Sequence, residues 1–133
     1  MNQNVKLIQK FYTAFKNQDQ LTCLQLCDDN IEWTVMDNVP NGGTHVGKKA
    51  VFENYFPNLF SLFQEFHAIT EEFLDSNDKV IVVGKYTGVA KKSKKRFESP
   101  FVHIYTLRGQ KIIKFRQYTD TAKIQDALKS RNP

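Results

Sequence analysis

Several patterns that mark common functional classes are absent from this sequence of 133 residues. It has no run of about 18 consecutive apolar residues, so no membrane-spanning helix is predicted. Residues 1–16 contain no apolar run of the signal-peptide type, and we therefore expect a cytoplasmic protein with no membrane partner. Neither a phosphate-binding glycine loop nor a Gly-x-Ser-x-Gly nucleophile motif occurs, which argues against the chemistries that depend on them.

Cysteine and histidine are both scarce. The two cysteines, Cys23 and Cys27, lie four residues apart, which is not the Cys-x-x-Cys spacing of redox and zinc sites. We expect them to be reduced and buried. The three histidines, His45, His67 and His103, have no metal-ligand spacing, so we expect no metal and no cofactor.

The composition is otherwise that of an ordinary globular domain, with 41% hydrophobic and 25% charged residues. A chain of this length fits one domain, predicted over residues 1–133, whose core needs neither disulfides nor metals. The 11 phenylalanines predict either a core rich in aromatic rings or a cavity walled by them.

The net charge of +5 owes much to the run from Lys91 to Arg96. Such a run can contact phosphates. This one lies between two strand-like segments, which favours a solvated hairpin tip. No aromatic residue is interleaved with it for base stacking, so we expect no nucleic-acid partner.

Apolar periodicity predicts the helices. Residues 3–17 carry apolar side chains at three-and-four spacing, which indicates an amphipathic helix. Asp19 is a plausible N-cap for a second short helix that ends near Cys27. Residues 48–63 also favour a helix, which Pro57 should kink or divide because proline lacks the amide donor.

Alternation predicts the strands. Alternation over residues 31–36 predicts a short strand, and residues 38–47 are glycine-rich and indicate a loop. Four more strands follow, separated by turn signals, at residues 66–74, 80–89, 97–107 and 112–118. Short connections imply antiparallel neighbours, and a short helix over 121–129 ends the chain. The fold class is therefore α+β, with helices on one face of a bent antiparallel sheet.

Some strands of this meander are apolar on both faces, for example residues 80–83 and 101–105. They offer more apolar surface than the predicted helices can cover. We therefore expect a homodimer that buries the remainder across the outer face of the sheet.

The end of the last strand is the best candidate for chemistry. Arg116, Tyr118 and Asp120 alternate and should share one face. Asp120 is either an acid/base in a pocket or the N-cap of the final helix. Arg116 could hold an oxyanion or form a structural ion pair, and Tyr118 could donate to a carbonyl or be a core ring.

Other candidates come from separate elements. His103 is either a partner of Asp120 or a satisfied core residue. Trp33 is either core or a flat wall for a ring-shaped ligand, and His45 could close a pocket mouth or face water. We predict that one cavity near Asp120 is touched by residues that combine apolar bulk with polar tips, namely Trp33, Tyr55, His103 and Tyr118.

The order of these elements resembles the cystatin-like cone of the nuclear-transport-factor and ketosteroid-isomerase superfamily. Within it, the chain is similar to the SnoaL-like polyketide cyclase group over about residues 5–129. The resemblance is carried by four segments of the sequence: 30–33, 43–47, 100–105 and 116–121. It implies that Asp120 matches the carboxylate that acts as general acid/base on the family's last strand.

The resulting hypothesis is a cofactor-free isomerase or cyclase that moves a proton on a small apolar or aromatic carbonyl compound. The predicted site residues are the catalytic Asp120, Tyr118, His103 and Arg116 and the ligand-binding Trp33, Tyr55 and His45. The alternative is a non-catalytic ligand-binding or dimerisation module. Epoxide hydrolysis would need a second pocket carboxylate, for which the strand-facing candidates are Glu32, Glu71, Glu72 and Glu98.

Overall fold

The computed structural model describes residues 3–129. The elements, in chain order, are α1 (Gln3–Lys16), α2 (Gln20–Gln25), β1 (Cys27–Val35), β2 (Gly43–Val46), a π-helix (Ala50–Tyr55), α3 (Phe56–Phe60), β3 (Phe63–Ser76), β4 (Lys79–Ala90), β5 (Arg96–Arg108), β6 (Lys111–Thr119) and α4 (Thr121–Leu128). The predicted domain bounds extend past both ends of the described range. No helix between residues 3 and 129 is long and apolar enough to cross a membrane.

One six-stranded sheet, in the order β2-β1-β6-β5-β4-β3, organises the fold. Strands β3 to β6 form the antiparallel meander that the alternation predicted. Strand β1 instead runs parallel to β6, so the prediction of an antiparallel sheet is wrong at this pairing. Strands β1 and β6 are far apart in sequence, so no hairpin constrains them to be antiparallel.

The first half of the chain differs from the prediction in detail. The second helix ends at Gln25, and the strand begins at Cys27, four residues earlier than predicted. Part of the predicted loop is strand β2, in which His45 pairs with Trp33. Pro57 divides the third helical segment as predicted. It lies in the first turn of α3, where a missing N–H is tolerated.

Helices α1 and α2 follow the sequence signals closely. One face of α1 buries Ile8, Phe11 and Ala14 against the sheet. Asp19 caps α2, because its carboxylate accepts the Thr22 N–H at 3.1 Å and the Thr22 hydroxyl at 2.6 Å. These bonds fix the turn between the two helices and so position α1.

Aromatic rings fill the space between the helices and the inner face of the sheet. Trp33 and Phe115 stack at 3.8 Å between ring centroids, and Phe11 packs against both Trp33 and Tyr105. All four of these side chains are buried. The phenylalanine content therefore builds a core of rings.

The basic segment forms the hairpin tip between β4 and β5, as predicted. Lys91, Lys92 and Lys94 are exposed, but Ser93 is buried. Its hydroxyl donates to the Ala127 carbonyl at 2.6 Å and accepts the Lys95 N–H at 3.1 Å. The tip therefore fastens the end of α4 to the sheet.

We expect Ser93→Ala to lower the free energy of unfolding by about 1–3 kcal/mol, because the buried Ala127 carbonyl loses its donor. Urea denaturation measures the change. Ser61→Ala is the control, since the Ser61 hydroxyl donates to an exposed carbonyl and its loss should cost less than about 0.5 kcal/mol. Equal losses in the two variants would contradict the fastening role of Ser93.

The outer face of the sheet has no helix over it in the described chain. Val102 and Ile104 of β5 are half-buried there, and Tyr118, which pairs with Val102, is 46% exposed. Ile69 and Leu74 of β3 are 42% and 41% exposed. Because such a stripe of apolar side chains is costly to hydrate, we propose that two copies of the chain pair through this face.

Light scattering at micromolar concentration should then return twice the mass of one chain. Tyr118→Lys, which places a charge in the proposed interface, should return the mass of one chain with the fold intact, because an exposed residue tolerates the change. Gln9→Lys, on the exposed face of α1, is the control and should stay dimeric. A single-chain mass for the unsubstituted protein rules the pairing out.

Candidate functional site

Arg116 and Tyr118 share a face of β6, as predicted, but it is the outer face of the sheet. Phe115 and Gln117 point into the core, whereas Arg116 and Tyr118 are exposed on the outer face. The expectation that Tyr118 touches a cavity with His103 is therefore wrong, and the residue that pairs with His103 in the sheet is Gln117.

A bulge in β6 explains why Gln117 points inward and Tyr118 outward. Strand β6 shifts register between its pairings of Thr106 with Lys114 and of Leu107 with Ile112, which leaves Ile113 as an extra residue. Ile112 is buried, so simple alternation from it would send even-numbered residues inward. The extra residue reverses the alternation, and the apolar Phe115 is the sequence signal that could have revealed this.

Asp120 lies beyond the end of β6, at the N-cap position of α4, and is half-buried. Its side chain makes no capping hydrogen bond. Its backbone N–H donates to the Ser99 hydroxyl at 3.1 Å, and the same hydroxyl lies 3.1 Å from the Asp120 carbonyl. The role of Asp120 as an acid/base stays a prediction.

A connected set of polar side chains, the His103 network, lies on the inner face of the sheet. Both ring nitrogens of His103 are bonded, Nδ1 to the Tyr12 hydroxyl and Nε2 to the Tyr86 hydroxyl, each at 2.5 Å. Tyr105 donates to the Tyr12 hydroxyl at 2.9 Å, and Gln117 donates to the Tyr86 hydroxyl at 2.8 Å. Residues from α1, β4, β5 and β6 therefore meet at one imidazole.

Burial keeps the His103 network uncharged. It lowers the pKa of His103 well below 6.5, so the imidazole is neutral near pH 7. Burial also raises the pKa of Tyr12, Tyr86 and Tyr105. A neutral imidazole has one donor and one acceptor nitrogen, so one phenol donates to His103 while the other accepts from it.

This arrangement can move a proton without creating a charge in the core. The imidazole changes tautomer and stays neutral if one ring nitrogen takes a proton from its phenol as the other nitrogen gives one to the second phenol. The phenols also stay neutral when the first regains a proton from a further group and the second passes its own proton on. Tyr12 and Tyr86 lie at the two ends of that exchange. The His103 network is therefore equipped for proton transfer, although an isolated ion there would be costly.

Aromatic rings enclose His103. Phe101 stacks on the imidazole at 3.8 Å between centroids, with 10° between the ring planes, and Phe115 packs against it at 4.8 Å. Trp33 stacks on Phe115 and is 3% exposed. Trp33 is thus core and is separated from His103 by one ring.

Tyr55 and His45 lie together, with ring centroids 5.0 Å apart. His45 is half-buried, and its Nε2 lies 2.7 Å from the Asn41 carbonyl. Tyr55 is 2% exposed, and burial raises its pKa. The pKa of Tyr86 is raised first by burial and then by the proximity of Tyr55. Tyr55 is therefore a buried ring that packs against the half-buried His45.

An apolar groove of about 220 Å³ runs between the α1–α2 turn and α3. Its walls include Phe15, Phe56 and Phe60. The Phe56 ring is 5.3 Å from Trp33, which stacks on Phe115. One ring, Trp33, thus separates the Phe56 wall of the groove from Phe115, the ring that touches His103.

A second cavity, of about 410 Å³, lies on the outer face of the sheet and is lined by His67, Arg96 and Glu98, among others. Asp120 lines neither this cavity nor the groove, and the same holds for the four residues predicted to share a cavity with it, Trp33, Tyr55, His103 and Tyr118.

Other chemistries find little support within residues 3–129. No group of His, Cys, Asp and Glu side chains there could hold a metal ion. Cys23 and Cys27 are free and buried, and burial raises the pKa of their thiols to about 11 and about 12, which makes them unreactive. The carboxylates considered for epoxide hydrolysis are all exposed, namely Glu32, Glu71, Glu72 and Glu98.

The family follows from a direct comparison. The model of the SnoaL-like domain matches residues 8–115, which is most of the chain, and the chain therefore belongs to the SnoaL-like family. Comparison with curated proteins gives no match.

Solved structures show the same cystatin-like, NTF2-like fold. An NTF2-like protein from Burkholderia thailandensis is 27% identical, with a TM-score of 0.91 over 97% of this chain and 99% of that chain. A protein of unknown function with a cystatin-like fold from Xanthomonas campestris is 21% identical, with a TM-score of 0.84 over 98% of this chain and 100% of that chain. TerC, co-crystallised with polyporic acid, is 21% identical, with a TM-score of 0.85 over 96% of this chain and 98% of that chain.

The neutral state of His103 predicts a dependence of stability on pH. Below about pH 6.5 the unfolded chain binds a proton on this imidazole and the folded chain does not, so the free energy of unfolding falls as the pH falls. The slope should approach about 1.4 kcal/mol per pH unit. His103→Gln should remove this contribution, whereas His67→Gln, at an exposed position, should keep it. Parallel curves for the protein and His103→Gln would contradict the neutral state.

Proposed function

We propose that this SnoaL-like protein binds a small, uncharged aromatic carbonyl compound in its cone and moves a proton on it without a cofactor, as in isomerisation or cyclisation. The observation that carries the proposal is the His103 network, in which a buried neutral imidazole is bonded to two phenols. Apolar walls with a few convergent polar groups are the usual composition of a small-molecule site.

The ligand should be uncharged because the cone offers no charge to pair with it. The buried polar residues among 3–129 are Ser93, Ser99, His103 and Gln117, and none of them is a carboxylate or a cation at neutral pH. An unpaired ion in such surroundings would lose its hydration without compensation. Phenol groups can still donate hydrogen bonds to a carbonyl or enolate oxygen.

His103 takes the acid/base role in this proposal, in place of Asp120. Proton transfer needs a group within hydrogen-bond reach of the substrate or connected to it through another group. His103 connects the hydroxyls of Tyr12 and Tyr86. In the balanced step a ligand carbon gives a proton to one phenol, which gives its own proton to the imidazole. The other ring nitrogen then gives its proton to the second phenol, and that phenol gives its own to the ligand oxygen. Asp120 lies outside the His103 network, although it remains the position that the family resemblance favours.

The groove beside α3 gives the ligand a route of entry. It is apolar, and its wall residue Phe56 contacts Trp33, the first of the rings that lead to His103. Rotation of these rings would admit a flat ligand. The co-crystal of TerC with polyporic acid supports the proposal only at the level of a shared fold.

A non-catalytic binding protein is the second candidate, and Gln117 favours it. This residue pairs with His103 on the inner face of the last strand. An amide cannot exchange a proton as a carboxylic acid does. The cone would then bind the same class of ligand without turnover.

The two candidates differ in turnover. Trp33 is the single tryptophan and lies next to the groove, so its fluorescence reports ligand binding. We expect a panel of conjugated enones and β-dicarbonyl aromatics to include compounds that bind and isomerise. His103→Gln should lower turnover by about a hundredfold while affinity changes only a few-fold.

Matched variants complete this experiment. Asp120→Asn and His67→Gln should both retain turnover. Loss of turnover in Asp120→Asn with full activity in His103→Gln would transfer the acid/base role to Asp120. Binding without turnover in the unsubstituted protein would leave the binding function and reject the enzyme. No binding of any compound would reject both candidates.

A further inference from the structure

One buried polar atom of the cone has no partner in the described chain. Gln117 is 6% exposed, and its Nε2 donates to the Tyr86 hydroxyl at 2.8 Å. Its Oε1 is buried and bonds to nothing within residues 3–129. Buried polar atoms in folded proteins nearly always have a partner, so an open one requires an explanation.

Exchanging the assigned oxygen and nitrogen of the Gln117 amide still leaves one end of the side chain without a partner. Oxygen and nitrogen of an amide are assigned from their surroundings, so the alternative places Oε1 against the Tyr86 hydroxyl. The amino group would then be the open end, in the same buried position. Either orientation satisfies one end of Gln117 and leaves the other for a group from outside the chain. In the structure the amino group donates to the Tyr86 hydroxyl, which then donates to His103, and the open end of Gln117 is the acceptor Oε1.

We infer that the ligand of this cone carries a hydroxyl or N–H donor in addition to its carbonyl, that Gln117 accepts this donor, and that Gln117 selects such ligands over otherwise equal ones that lack it. The inference rests on the proposed function and names the substrate class of the same site.

An amide at position 117 is suited to accept a hydrogen bond from a neutral donor on the ligand. A carboxylate at 117 would be a buried charge, and it would bind a hydroxyl at the cost of losing its own hydration. An amide accepts a hydroxyl without that cost. Because Gln117 is bonded to Tyr86, a donor held there lies one hydrogen bond from the phenol that contacts His103. Gln117 is therefore a positioning residue that places the ligand beside the His103 network.

Matched probes test the selection. Acetophenone carries the carbonyl alone, 3-hydroxyacetophenone adds a donor, and 3-methoxyacetophenone adds bulk without a donor. Titration followed by Trp33 fluorescence should show the hydroxy compound binding about tenfold more tightly than the methoxy compound, the worth of one neutral hydrogen bond. Gln117→Met, which is apolar and of similar length, should bind the two compounds equally. Gln9→Met, at an exposed position on α1, should keep the preference.

The outcomes separate this inference from the function on which it rests. Binding of all three probes with no preference in the unsubstituted protein, or the same preference in Gln117→Met, overturns the role of Gln117 and leaves the binding function intact. No binding of any probe removes the binding function and this inference with it.

Stability of the ligand-free protein provides a second measurement. If the open end of Gln117 is reserved for a ligand, Gln117→Met should melt within about 5 °C of the unsubstituted protein or above it, because one bond and one open polar atom are removed together. If an ordered water completes the bonding of the amide, the variant should melt more than about 5 °C lower. That larger fall would assign the open end to structural water and overturn the inference.

Discussion

The bonding of His103 by Tyr12 and Tyr86 is the constraint that connects the helical layer to the sheet. Tyr12 comes from α1 and Tyr86 from β4, and both reach the imidazole at 2.5 Å. A buried imidazole without partners would be costly, so these bonds favour one placement of α1 along the sheet over neighbouring ones. Apolar packing alone would tolerate small shifts of the helix, whereas hydrogen bonds at both ring nitrogens do not. The placement of α1 in turn fixes one wall of the groove beside α3.

The aromatic core determines which chemistry the bonded His103 can perform. Phe101 stacks on the imidazole and Phe115 packs against it in a T-shaped contact, and their exclusion of water lowers the pKa of His103. Hydrogen bonds within such surroundings are stronger than in water, while ions are less stable. The same packing that stabilises the fold therefore limits the site to neutral groups and to proton movements that leave no charge behind.

Local signals in the sequence were sufficient for the meander, the cap at Asp19 and the division at Pro57, because each depends on neighbouring residues. The parallel pairing of β1 with β6 depends on residues far apart in the chain, and no local pattern encodes it. The site residues of β6 were assigned to the wrong face because of one bulge. One extra residue, Ile113, exchanged the faces of β6 and brought Gln117 inward in place of Tyr118. His103 was predicted, but its phenol partners come from elements that only the fold brings together.

Gln117 separates the demands of stability from those of function. An apolar side chain of similar length would fill its place without leaving an open polar atom in the core. The amide contributes one hydrogen bond, to Tyr86, and its other end weakens the ligand-free fold. Such local conflicts with the rules of core packing are expected where a protein binds something. The conflict lies beside the one imidazole that is bonded at both nitrogens, so the open acceptor and the proton-transfer groups can act on a single ligand.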